Sequence, residues 1–116
     1  MIRAMLLVGF GGAIGSILRY LTSFCLAKYY ENAFPLGTFI VNIIGCFLIG
    51  LLAGFLAKSQ LASEDIKWFL ITGLCGGYTT FSAFAYENIQ LMQTDNLFLA
   101  FFNIGSSVII GLVAVW

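Results

Sequence analysis

The side chains able to do chemistry here are amides, hydroxyls and aromatic rings set at helical spacing inside long apolar runs. Thr38 and Asn42 stand four residues apart, as do Asn103 and Ser107, with Ser106 beside the latter. On a helix such pairs share a face. Each polar group is costly in hydrocarbon unless a partner or a cavity satisfies it. As a set they offer N–H and O–H donors without fixed charge, which suits a dehydrated anion crossing a membrane. Hydrogen bonding between helices would use the same groups and is the simpler account of any one of them. Their number points to a pathway.

The segment Gly73–Phe84 reads GLCGGYTTFSAF. Adjacent glycines followed by two β-branched threonines are poor helix formers, so the spacing predicts a helix that opens near its middle. Carbonyls exposed there must be met by protein, water or a cation, and unwound carbonyls in membrane proteins hold sodium. Close packing of a neighbouring helix is the more frequent use of such a glycine pair and, on the residues alone, the favoured one. Phe81 and Phe84 are three apart and point to nearly one side. Phenyl rings in membrane proteins mostly meet lipid or core, yet a ring has a positive edge, and two edges turned inward could hold a bare anion. Arg19 is the lone charge inside the first apolar run and must snorkel, pair or face water. It serves either an electropositive vestibule or an ion pair or carbonyl clamp that holds the bundle; Glu87, near the end of the third span, is the carboxylate available to pair with it, or simply reaches the interface.

These groups need elements to position them, and the elements are transmembrane helices. Of 116 residues, 61% are hydrophobic, against five Lys or Arg and five Asp or Glu, too little charge for a water-soluble domain. The charges fence off four spans long enough for a ~30 Å hydrocarbon core. They run from about 4 to 27, 36 to 57 (after Pro35), 66 to 91 (after Ser63, Glu64 and Asp65) and 96 to 116. A hydroxyl or carboxylate before the third span suits a helix start, as does a proline before the second. Continuous apolar runs exclude the alternation of a membrane β-barrel. The first run continues past its small residues, so it reads as a mature span rather than a signal peptide. The expected fold is all-α, one domain over 1–116.

Small residues four apart, Gly11 with Gly15, Gly12 with Ser16, and Cys46, Gly50 and Gly54, predict close helix packing. With no histidine and no basic cluster, nucleic-acid binding is excluded. The three cysteines lack metal-ligand spacing and read as small hydrophobes. Arg3, Lys58 and Lys67 fall on one side of the membrane and Lys28 on the other, a slight bias. It fits ordinary insertion with the termini inside, or a chain inserting both ways up and pairing antiparallel.

At residues 11–20 (GGAIGSILRY), at Gly37-Thr38 with residues 41–45 (VNIIG), and from Gly73 to Glu87, the sequence resembles the Fluc or CrcB family of small dual-topology fluoride channels. The resemblance spans nearly the whole chain. It implies an antiparallel homodimer in the cell (inner) membrane with two fluoride pores and a structural sodium ion at the dimer centre. The backbone carbonyls of Gly76 and Thr79 from both subunits would hold the sodium. Phe81 and Phe84 would supply ring edges to fluoride, Asn42 the pore amide, and Arg19 the vestibule. Thr38, Ser82 and the hydroxyls Ser106 or Ser107 would form a polar track. The family's tyrosine early in the fourth helix is replaced here by the stretch Phe101, Phe102, Asn103. No enzyme chemistry is implied: the chain has no histidine, activated nucleophile or phosphate loop.

Two other functions remain open at this level. A proton-coupled small multidrug transporter would need an acid deep in the membrane, where the first span carries Arg19 instead. A non-conducting assembly subunit would use the small-residue stripes and Arg19 alone and would pass no ions.

Overall fold

The computed structural model describes residues 1–29, 34–58 and 63–116. Helix α1 is Ile2–Tyr29 and α2 is Leu36–Lys58, beginning immediately after Pro35. A third helical run, α3, covers 64–78: one α turn at Glu64–Ile66, a wider π-wound stretch at Lys67–Cys75 and a last α turn at Gly76–Tyr78. Ser63 caps it, its hydroxyl accepting the Ile66 N–H at 3.3 Å. After an interruption come α4, Ser82–Gln93, and α5, Leu97–Val115. The turn joining α4 to α5 passes through Asp95 at φ 61°, the left-handed region that Asp tolerates better than most residues.

Three of these helices, α1, α2 and α5, are long and apolar enough to cross a membrane among the described residues. The third expected span is two half-helices, broken within the segment where the composition predicts an opening. Within that segment the opening falls on the threonines: Gly76 and Gly77 remain helical, and the chain departs at Thr79 (φ −84°, ψ 160°). Gly73 and Gly77 are spent on packing, whereas a Cβ on Gly76 would meet only the Ile71 carbonyl of its own helical run at 3.8 Å. A Cβ on Gly77 would come within 2.6 Å of the Gly12 carbonyl oxygen, and one on Gly73 within 3.0 Å of Gly11 Cα. From the other side, a Cβ on Gly15 would strike the Leu74 carbonyl and stand 2.8 Å from the Tyr78 nitrogen. Helices α1 and α3 therefore touch backbone to backbone, which only hydrogen at these positions permits.

Gly15→Ala should accordingly destabilise the fold by about 1–3 kcal/mol through overpacking, read as a lower unfolding temperature in detergent by tryptophan fluorescence. Gly9→Ala, whose added methyl meets nothing within 4 Å, is the neutral control.

The second glycine stripe joins α2 to α5. A Cβ on Gly50 would strike the Val115 carbonyl, and one on Gly111 would sit 3.4 Å from Cys46 Sγ, whereas Gly54 faces open space. The core is thin: Val41 and Ala100 are fully buried and Cys75 nearly so. Large apolar side chains such as Phe10, Phe55, Phe98 and Leu112 cover the exterior, the arrangement expected where lipid replaces water as solvent.

Candidate functional site

The interruption between α3 and α4 organises the site, and Asn42 on α2 makes it. The Asn42 amide grips the backbone of Thr80 at both ends, Nδ2 donating to the Thr80 carbonyl at 3.0 Å and Oδ1 accepting the Thr80 N–H at 2.9 Å. In an unbroken helix that N–H would bond to the Gly76 carbonyl. Likewise the Ala83 N–H, due at the Thr79 carbonyl, bonds to Thr80 Oγ1 at 3.3 Å. Two side chains thus divert the donors that Gly76 and Thr79 would have received, leaving both carbonyls without their helical partners. The negative end of α3 and the positive end of α4 meet at this point. A methyl group of Thr79 fills the space where a Cβ on Gly45 would be, so α2 supports the opened strand directly.

A cavity of about 390 Å³ opens beside the interruption. Asn42, Gly76, Thr79, Phe81, Phe84 and Ser107 all line it. The Asn42 amide has two N–H groups and commits one to Thr80, so one donor remains. The rings of Phe81 and Phe84 lie 6.0 Å apart at 44°. Phe84 is half-buried, whereas Phe81 is 79% exposed, projecting from the chain's surface with no cover of its own.

A second cavity, about 530 Å³, lies on the other side of the interruption and holds Arg19, Thr38 and Ser82, with Ser16, Ser23 and Tyr86. Thr38 and Asn42 share a helix face, yet Thr80 stands between the two cavities and lines both. The ion pair considered between Arg19 and Glu87 does not form. Among the described residues the ion pairs are Arg3 with Asp65 at 2.6 Å and Lys67 with Glu64 at 3.9 Å. The reason is helical geometry: Tyr86 faces the Arg19 cavity, and the next residue is turned by about 100°. Glu87 therefore faces a third recess with Phe34, Gln90 and Asn96, where its Oε1 is buried without a hydrogen-bond partner.

On α5 the two serines separate. Ser106 donates to the Phe102 carbonyl at 2.6 Å, back into its own helix. Ser107 reaches the first cavity and donates to Asn103 Oδ1 at 3.2 Å. Asn103 in turn donates to Asn88 Oδ1 at 2.9 Å, tying α5 to α4. Two contributors escape a reading of the sequence alone. Thr80 carried a usable signal, a hydroxyl three residues before an N–H at a helix start. Asn88 carried only its polarity inside an apolar segment.

Residues 6–116 match the family described as CrcB-like protein, Camphor Resistance (CrcB). The chain is 52% identical to the fluoride-specific ion channel FluC of Flavobacterium psychrophilum, covering 98% of this chain and 92% of the relative. It is 44% identical to the FluC of Azobacteroides pseudotrichonymphae, over 99% and 92%. To the FluC of Methylobacillus flagellatus it is 46% identical, over 97% and 88%.

Proposed function

The chain belongs to the CrcB family, and from that membership we propose that it is a fluoride-selective channel, passing the ion down its gradient across the cell membrane. It is a multi-pass membrane protein and a channel rather than an enzyme. The observation that carries the mechanism is the convergence of Asn42, Phe81, Phe84 and Ser107 on one cavity. Fluoride holds its water tightly, so a selective path must replace that water with close-set donors that compensate chloride poorly. An amide N–H, a hydroxyl and two ring edges do this without any group that titrates. Arg19 in the second cavity raises the local potential for anions, and Thr38 and Ser82 beside it continue the donor track.

The half-helices α3 and α4 together make the fourth crossing of a single four-helix bundle. One such bundle is too slim to enclose the path, and Phe81 stands uncovered. A second copy related by a two-fold axis in the membrane plane would cover it, giving an antiparallel homodimer with two pores. At the axis, the Gly76 and Thr79 carbonyls of each copy form a set of neutral oxygens, which fits a hard monovalent cation such as sodium. A bound cation there would lock the two interruptions together and raise the central potential for anions. A proton-coupled carrier is disfavoured because Glu87 lies outside both donor-lined cavities.

Purified protein in fluoride-loaded liposomes should release fluoride rapidly and chloride hardly at all. A fluoride electrode that stays flat after reconstitution, or equal release of the two halides, would overturn this reading.

A further inference from the structure

Ser107 is the cavity's hydroxyl, yet its hydrogen points away from the cavity. It donates to Asn103 Oδ1, and Asn103 Nδ2 donates to Asn88 Oδ1. In this state Ser107 shows the cavity only lone pairs, which repel an anion. Asn88 and Asn103 are 4% and 1% exposed, and neither lines the cavity. The oxygen and nitrogen ends of an amide have nearly the same shape. If both amides turn over, Asn88 Nδ2 donates to Asn103 Oδ1 and Asn103 Nδ2 donates to Ser107 Oγ. The count of hydrogen bonds is unchanged at two, and the Ser107 hydrogen is released toward the cavity.

Resting on the fluoride reading above, we infer that Asn88 and Asn103 form a reversible hydrogen-bond relay that sets whether Ser107 presents an oxygen or a proton to the passing anion. Both are positioning residues acting through Ser107. The two polarities make equal numbers of bonds, so a small free-energy difference separates them and the anion selects between them. A chain of donors all directed at a charge polarises in series, which strengthens the last bond. Fluoride, the stronger hydrogen-bond acceptor, drives the reversal further than chloride.

The test is a fluoride titration of the full-length protein in detergent micelles, labelled with nitrogen-15 at asparagine and assigned by single substitutions. The side-chain amides of Asn88 and Asn103 should move saturably with fluoride, stay still with chloride, and stop responding in Ser107→Ala. Asn42, which lines the cavity, reports arrival of the ion independently. A moving Asn42 with a stationary Asn88 would overturn the relay, as would a response that survives Ser107→Ala or one that chloride reproduces. Absence of fluoride flux from wild-type liposomes would instead overturn the channel reading, so the two failures are distinguishable.

Discussion

Replacing Asn42 with leucine should abolish fluoride flux, lowering it by about 100-fold or more, because it removes both hydrogen bonds that hold the interruption open. Each bond contributes roughly 0.5–1.5 kcal/mol net, and each backbone group left unpaired in an apolar setting costs about 1–3 kcal/mol. The Thr80 N–H and carbonyl would both be stranded. The least costly escape is for Thr80 N–H to return to the Gly76 carbonyl, closing the helix. That removes one oxygen from the set proposed for sodium and swings Phe81 and Ser82 around the helix axis. Flux and dimer should therefore fail together, measured by liposome efflux and size-exclusion chromatography on one preparation. Asn42→Asp is the informative partner. It keeps the acceptor for Thr80 N–H, so the dimer should survive better, while its negative charge beside the path suppresses anion flux. An Asn42→Leu protein conducting within threefold of wild type would show that the interruption stands without the clamp.

The dependence of the site on Asn42 explains what could and could not be read from residues alone. Helix ends were legible where a charge or a capping group marks them: Lys58 ends α2 and Ser63 caps α3 where composition placed them. The interruption was legible too, since it falls at residues 79–81, inside the stretch of glycines and threonines that the sequence singles out; which residues of that stretch open was not. Glycines weaken a helix intrinsically, yet Gly73 and Gly77 are held helical by contact with α1, and a long-range bond from α2 sets the opening three residues later. Propensity is local, whereas this choice is tertiary. The same limit hid Asn88. Its role exists only once α4 and α5 fold back on each other and bring Asn103 within 2.9 Å. Arg19 with Glu87 failed for a different reason: Arg19 was seen as a charge in need of an account and Glu87 as its available partner, but one residue of helical phase put Glu87 in a different recess.

Phe81→Ile should lower fluoride flux by about tenfold while leaving the dimer intact. Phe81 makes little contact within its own chain, being 79% exposed, so its fold does not depend on the ring. Isoleucine keeps most of the apolar bulk offered to a partner subunit, and the hydrophobic contribution of the site changes little. The lost feature is the quadrupole, whose positive edge is worth roughly 0.5–1.5 kcal/mol in geometries that use it. One ring edge removed at a barrier of that size is a change of up to about tenfold in rate. Phe84 remains, 6.0 Å away in the present geometry, so conduction falls without vanishing. A simple packing role predicts the reverse pattern, with dimer stability reduced and flux per intact dimer unchanged. Efflux normalised to the dimer fraction separates the two, and unchanged normalised flux would return Phe81 to the lipid-facing or interfacial packing that exposed phenylalanines elsewhere on this chain provide.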